Sequence, residues 1–220
     1  MKLKQKVLFA LAALSSVGFV HAQDARMENV PTGTLGQRYG DVNIGLQDIQ
    51  HFSDDAYSMG VGANIPVAGN FDATFDFGHA WLNSTVDQTA DAVSVTGTRY
   101  LAFQGAKPFA YAGVGYEWDK VSFGRAKDHS QYGIWGVGVG VEIPASVAFP
   151  TVEGLSVTPL ISYSDDFRKS HNSGQACVYS MEANQWINHQ TAVYADIGFQ
   201  DVLHSEFDSW LYTLGVRIRY

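Results

Sequence analysis

The sequence alternates apolar residues with polar or glycine residues over unusually long runs. In residues 57–65 the odd positions are apolar or aromatic, and residues 134–142 and 210–220 show the same alternation. A period of two places every second side chain on the same face of a β-strand. The sequence therefore predicts an all-β protein whose strands each carry one apolar face.

Two architectures use such strands, and the runs favour one of them. A soluble sandwich buries its apolar faces in a core, whereas a membrane barrel turns them towards lipid and its polar face towards the lumen. Many runs here reach the 9–11 residues that a tilted strand needs to cross a bilayer. Their polar face is mainly Gly, Ser, Thr and Asn, and aromatic residues stand at run ends, namely Trp81, Trp118, Tyr163, Trp210 and Tyr220. We therefore expect a transmembrane β-barrel, in which Val139 faces lipid and Gly138 faces the lumen.

The first 22 residues have the layout of a secretory signal peptide. Lys2, Lys4 and Lys6 precede an apolar stretch over residues 7–20, and Ala22 stands at the expected cleavage position. This predicts a signal peptide at 1–22, a periplasmic N-terminal extension at 23–37 and a barrel at 38–220. The net charge of −8 and the lack of a Lys/Arg cluster exclude a nucleic-acid partner. Cys177 is the single cysteine, so no intramolecular disulfide can form.

The connections between runs suggest an even number of strands. Short turns are predicted at 66–70 and 104–108 and a longer one at 144–154, whereas polar stretches at 83–91, 119–131 and 165–175 read as loops of the other rim. Residues 39–49 resemble residues 194–202, and each stretch is followed by an aromatic-led run. The last pair is then 192–202 and 209–220, which requires one more strand near 175–187. An up-and-down antiparallel barrel of ten strands is favoured, and eight is the alternative if that stretch is a loop.

These features resemble the small outer-membrane β-barrel proteins of Gram-negative bacteria, the broad group that contains opacity-protein and outer-membrane-protein-A-like barrels. The most specific part is the C-terminal strand, which ends in Tyr220 with Ile218, Val216, Leu214 and Tyr212 on the same face. The resemblance implies that this strand is the signal read by the outer-membrane assembly machinery, although Phe is the commoner last residue. It also implies an integral outer-membrane protein in contact with lipid and lipopolysaccharide, with both termini in the periplasm.

Charged residues of both signs stand at predicted lumen positions. Because unpaired charges inside a narrow barrel are costly, we expect them to form a polar network that fills the lumen. A narrow pore for small solutes is the alternative. The predicted network residues are Asp72, Asp76, Arg99, Glu117, Glu142, Asp196, Arg217 and Arg219.

Enzymatic outlines are present but weak. His171 and Ser173 with Glu182 resemble the catalytic group of lipid A deacylases, and Asp165-Asp166 with Asp201 and His204 resemble that of omptin proteases. The first outline lacks the surrounding motif, and the chain is far shorter than omptins. His79 shares the apolar face of its run, so we expect it at the membrane interface.

The sequence predicts a non-enzymatic, monomeric barrel with a structural or surface-interaction role. No cofactor or metal is expected. A lipid A-modifying enzyme remains a minor alternative.

Overall fold

A computed structural model describes residues 31, 33–50, 55–82, 87–103, 105–123, 126–149, 153–167, 174–203 and 208–220. The predicted signal peptide at 1–22 lies outside these residues. The described chain forms ten strands and one short 3-10 turn, Ala145–Val147. The strands are β1 Tyr39–Ile49, β2 Ala56–Ala68, β3 Phe71–Leu82, β4 Asp87–Tyr100, β5 Lys107–Phe123, β6 Ala126–Pro144, β7 Leu155–Asp166, β8 Ala176–Trp186, β9 Thr191–Val202 and β10 Ser209–Arg219.

The strands close into an antiparallel up-and-down barrel. Each strand pairs with its neighbours in sequence, and β1 pairs with β10 from Tyr39–Arg219 to Ile49–Ser209. The predicted all-β barrel and its count of ten strands are confirmed, and the eight-stranded alternative is wrong. Residues 175–187, the weakest of the patterns, do contain a strand, β8. Because the count is even, Tyr39 and Tyr220 lie at the same end, which we call the terminal rim; the other end is the opposite rim.

The alternation separates an apolar outer face from a polar or small-residue inner face. On β6, the Val139 side chain is 59% exposed, whereas Gly138 is buried. A Cβ atom added at Gly138 would overlap the ring of Tyr111 on β5, so a lumen residue of the neighbouring strand requires this glycine. Facing at both positions is as predicted.

Aromatic side chains form a girdle on the outer face towards the opposite rim. Tyr57 stacks on Trp81 with ring centroids 6.1 Å apart, and Trp135 packs on Tyr163 at 5.5 Å. Further pairs are Tyr116 with Trp118 and Phe199 with Trp210. Rings of this kind mark the membrane–water boundary of transmembrane barrels. No helix in the described part of the chain is long and apolar enough to span a membrane.

Strands β5 and β6, which form one hairpin, are each longer than the other strands. Pairing runs without a break from Lys107–Glu142 to Phe123–Ala126, and β6 pairs with β7 only from Ile134 onwards. The prediction that residues 119–131 form a loop is therefore wrong, and β4 likewise begins inside the predicted loop 83–91. Polar composition suggested loops, but a paired strand tolerates polar side chains on both faces once it extends beyond the lipid.

Residues 33–37 lie inside the barrel at the terminal rim. The sequence suggested that they belong to an extension outside the barrel. Thr34 and Leu35 are buried, and their contacts come from strands on several sides of the lumen. This segment, which we call the N-terminal plug, changes the expected architecture of the lumen.

The outer face gives a direct test of the facing. Val139 lies halfway along the wall between Trp135 of the girdle and Pro144 at the end of β6. We expect Val139→Arg to destabilise the folded barrel in a bilayer by roughly 2–4 kcal/mol, which is the cost of an arginine on the lipid face near the midplane. Urea titration in phospholipid vesicles measures it. Val147→Arg, at an exposed site outside the strands, is the matched control. Equal stability of both variants would contradict the assigned facing.

Candidate functional site

The lumen at the terminal rim is built around Glu142. This side chain on β6 is fully buried, and its Oε2 accepts hydrogen bonds from the Thr34 backbone N–H, from Thr34 Oγ1 at 2.8 Å and from the Leu35 N–H at 3.2 Å. Lys107 on β5 lies beside it, with Nζ 3.2 Å from Oε1. One barrel carboxylate therefore fixes two consecutive residues of the N-terminal plug.

Other strands hold the rest of the plug. Asp72 on β3 accepts a hydrogen bond from the Gly36 N–H at 2.8 Å, and Trp186 on β8 donates one to the Gly33 carbonyl at 3.0 Å. Arg219 on β10 donates to Gln37 Oε1 at 3.0 Å. Gly36 has φ +84°, a left-handed conformation that glycine adopts without strain and that turns the segment. The plug is thus bonded to β3, β6, β8 and β10.

Leu35 closes the apolar side of the same rim. Its side chain is buried in a cluster with Tyr100 and Phe109, and Tyr111 and Leu160 pack against that cluster. The Lys107 ammonium also donates to the Leu35 carbonyl at 3.0 Å. The plug therefore combines polar anchors with a hydrophobic contact.

Arg217 is the centre of the polar network deeper in the lumen. Its guanidinium, fully buried on β10, makes a two-point contact with the Glu182 carboxylate and donates to Asn184 Oδ1 at 2.7 Å. It also lies over the ring of Tyr194, with Cζ 3.7 Å from the centroid. Both contacts suit arginine, because its planar fork pairs with carboxylates and its face stacks on aromatic rings.

A cavity of about 110 Å³ occupies the middle of the lumen. This volume suffices for several water molecules, since one water needs roughly 10–15 Å³ of such space. Apolar side chains such as Ile134, Leu160 and Val178 form part of its wall, together with short or polar side chains. The latter include Thr74, Asp76, Ser94, Ser162, Ser180 and Asp196.

Most of the predicted network residues lie on the inner face, but they form separate groups. Asp72, Glu142 and Arg219 bind the N-terminal plug at the terminal rim, and Arg217 lies deeper in the lumen. Glu117 lies near the opposite rim, where its carboxylate accepts a hydrogen bond from the Tyr132 hydroxyl at 2.9 Å. Asp76 and Asp196 line the central cavity.

Arg99 is the exception, and its predicted lumen position is wrong. On β4 the even residues Ser94, Thr98 and Tyr100 are buried, so the odd residue Arg99 lies on the outer face and is exposed. It is next to the last residue of its strand. A long arginine side chain at such a site can reach the aqueous interface along the wall.

The two enzymatic outlines lie in part outside the described residues. His171, Ser173 and His204 lie outside the described residues, and the Glu182 carboxylate is bound to Arg217 inside the lumen. His79 lies on the outer face as expected, with Nδ1 2.7 Å from Asp91 Oδ1 on the neighbouring strand.

Sequence reasoning missed several lumen residues, and the missed residues are of two kinds. Asp41, Glu182 and Asn184 follow the inner parity of their strands, so parity alone could have identified them. The N-terminal plug had no such signal, because its partners stand far away in sequence: 108 residues separate Thr34 from Glu142.

The C-terminal strand places its predicted assembly residues on the outer face. Tyr212, Leu214, Val216, Ile218 and Tyr220 are all exposed large hydrophobic side chains. The backbones of Tyr212, Leu214, Val216 and Ile218 pair with β9 on one side and β1 on the other, and Tyr220 directly follows the end of β10. These residues are accessible from the lipid side of the closed barrel.

Solved structures of outer-membrane β-barrels are similar to this chain. The translocator domain of the autotransporter NalP from Neisseria meningitidis matches with TM-score 0.51 and 10% identity over 98% of this chain and 95% of that one. Neisserial surface protein A matches with TM-score 0.44 and 12% identity over 83% and 96%. The NanC porin matches with TM-score 0.48 and 10% identity over 82% and 100%. The chain has the fold of outer-membrane β-barrels. No protein-family model matches the sequence, and no curated protein matches it.

Proposed function

We propose that this protein is an integral outer-membrane barrel with a closed lumen and a structural or surface-interaction role. The outer face supports the membrane location, because exposed apolar residues such as Ile44, Val114 and Leu214 cover the wall between the aromatic girdle and the terminal rim. A wall of this kind would be unstable in water, since soluble proteins rarely expose apolar patches of such extent. The proposed role is non-enzymatic.

The N-terminal plug carries the proposal of a closed lumen. Glu142 and Asp72 bind its backbone N–H groups, and Leu35 seals it against Tyr100 and Phe109. Buried, multiply bonded contacts of this kind favour one fixed position over a mobile tail. A narrow pore for small solutes would require the plug to leave.

The plug and the even strand count support one orientation of the barrel. We place the terminal rim, with both termini, in the periplasm and the long β5–β6 hairpin outside the cell. In this orientation the aromatic girdle meets the outer leaflet, where lipopolysaccharide is the contacting lipid. The exposed face of Tyr212, Leu214, Val216, Ile218 and Tyr220 is then available to the outer-membrane assembly machinery. We further propose that the barrel is a monomer.

Conductance in planar bilayers tests the closed lumen. We expect the wild-type protein to be silent, and a variant that lacks residues 23–37 to conduct, because it loses Leu35 and the other contacts that close the terminal rim. Heat-modifiable mobility on gels verifies that both proteins are folded before they are compared.

Each outcome has a distinct meaning. A steady conductance of the wild-type protein, equal to that of the shortened variant, would contradict closure and favour the narrow pore. Silence of both proteins would show that the N-terminal plug does not close the lumen. Glu142→Gln is an intermediate variant: it keeps the shape of the side chain but weakens the hydrogen bonds from Thr34 and Leu35, so brief openings are expected.

A further inference from the structure

The outer wall of the barrel carries a groove that crosses β6 to β10. Its volume is about 580 Å³, which lies within the range of roughly 300–1,000 Å³ found for small-molecule sites. Two of its lining residues are glycines, Gly140 and Gly198, which have no side chain to fill it. Every lining residue is uncharged. Apolar outer-face residues of β6 to β9 line it as well, namely Val139, Val141, Pro159, Ile161, Met181 and Ile197.

The ladder between β6 and β7 is interrupted where the groove meets these strands. Pairing is continuous up to Gly140–Leu160 and resumes only at Ile143–Val157. In this register Pro159 lies opposite Val141, and proline has no N–H to donate across the seam. The two strands are therefore joined less tightly at the groove than along the rest of their length.

Leu160 connects the outside of the wall with the inside at this seam. It follows the inner parity of β7, yet it lines the outer groove as well as the central cavity of the lumen. On the inner side it packs against the cluster of Leu35, Tyr100 and Phe109 at the N-terminal plug. A molecule in the groove would therefore contact the same side chain that packs against the plug.

The groove extends from the aromatic girdle to the apolar middle of the wall. Trp210 lines one end and packs on Phe199 in the girdle, with ring centroids 5.3 Å apart. Val139, halfway along the wall, lines the other end. Girdle aromatics lie at the level of lipid head groups. This layout matches a lipid, whose head group lies at the interface and whose hydrocarbon chain lies below it.

We propose that one hydrocarbon chain of a lipopolysaccharide molecule occupies the groove, with the head group of that molecule beside Trp210. The proposal rests on the orientation proposed above, in which the girdle lies in the outer leaflet. The bilayer covers this face of an outer-membrane barrel, so a lipid is the molecule that meets the groove. The uncharged lining suits a hydrocarbon chain rather than a sugar or a phosphate group.

Packing, rather than exclusion of water, holds the chain in the groove. Lipid tails are as apolar as the groove, so the hydrophobic effect does not favour the groove over the bilayer. The groove places protein atoms on more than one side of the chain, and many weak dispersion contacts add up. Met181 also has a flexible side chain that adapts to an irregular partner. We therefore expect the bound lipid to remain on the barrel during mild extraction.

Lipid that co-purifies with the barrel tests the proposal. The full chain is produced in the outer membrane of a Gram-negative host and extracted in a mild detergent. Native mass spectrometry then identifies and counts the lipids that remain on each folded barrel. We expect one lipopolysaccharide molecule on each wild-type barrel.

Variants that fill the groove identify the site. Val141→Trp and Met181→Trp place a large side chain in the groove from β6 and from β8, and each is expected to lose the bound lipid. Aromatic residues are compatible with the lipid face, so both variants should insert. Val42→Trp is the control, because Val42 is exposed on the outer face of β1. It lies three residues from the terminal-rim end of its strand, as Val141 does.

Several results would overturn the proposal. Wild-type barrels without bound lipid, or equal retention in all three variants, would show that the groove holds no lipid. A dimer of barrels that Met181→Trp separates would show that a second copy of the chain covers the groove instead. If one groove variant does not fold, the other gives the comparison with Val42→Trp.

Failure of this proposal can be distinguished from failure of the proposed function. Phospholipid in place of lipopolysaccharide, lost in the same two variants, would contradict the proposed orientation together with the identity of the lipid. Absence of any lipid would contradict the groove site alone. The conductance of the wild-type and shortened proteins, which tests the closed lumen, does not depend on either result.

Discussion

Deletion of residues 210–220 is expected to abolish insertion into a bilayer rather than weaken it. These residues form almost all of β10, which pairs along its length with β1 and with β9. Their removal leaves two strand edges facing lipid, where each unsatisfied N–H or C=O group costs several kcal/mol. Insertion is measured by refolding into phospholipid vesicles, followed by heat-modifiable gel mobility and protection from protease.

The matched control is a chain that lacks an equal number of residues before β1, residues 23–33. This chain keeps the whole barrel and Thr34 to Gln37 of the plug, so we expect it to insert. Partial insertion of the chain without 210–220, with protease protection of β1, would show that nine strands can close without β10. That result would contradict the expectation that closure of the barrel requires β10.

The inward or outward facing of strand residues was predictable because each strand carries its own alternation of apolar and polar residues. Parity decides facing, so Val139 and Gly138 could be assigned from their neighbours alone. The count of ten was harder, because β8 has a weak alternation and was inferred from the similarity between residues 39–49 and 194–202. Closure then required an even number. Local patterns and one topological rule thus determined most of the fold.

The errors arose where local pattern was a poor guide. Residues 119–131 are polar and looked like a loop, but their backbone pairing continues to the end of the β5–β6 hairpin. The charge of Arg99 favours a lumen position, although the parity of β4 gives the outer face. Charge at a strand end is compatible with either face, since a long side chain can reach water.

The lumen could be predicted only in part. Asp72 and Glu142 were expected to form a polar network, but their partners in the N-terminal plug carry no periodicity that links them to β3 or β6. Such contacts join distant parts of the chain and depend on the closed barrel. The position of Gly62 between Asp41 and Asp76 likewise depends on the register of three strands, which single-strand patterns do not fix.

Arg217→Met is expected to lower the free energy of unfolding by about 3–5 kcal/mol, the usual cost of removing one partner from a buried ion pair. The substitution keeps much of the side-chain volume but leaves the Glu182 carboxylate without its two-point contact. It also removes the charge that stacks on Tyr194. Urea unfolding in detergent, followed by tryptophan fluorescence, measures the change. Arg38→Met, at an exposed arginine just before β1, is the matched control and should change stability little.

A double variant shows whether the loss of stability comes from the unpaired Glu182 carboxylate. In Arg217→Met/Glu182→Gln the carboxylate is neutral, so most of the destabilisation should disappear, and the double-mutant cycle should give a coupling energy well above the error of the measurement. Additive effects of the two substitutions would contradict a direct pair. The loss would then come from the contact of Arg217 with Tyr194 and Asn184, which Glu182→Gln leaves unchanged. Because Glu182 and Arg217 lie on strands separated by β9, strong coupling would also demonstrate that the lumen side chains connect non-adjacent strands.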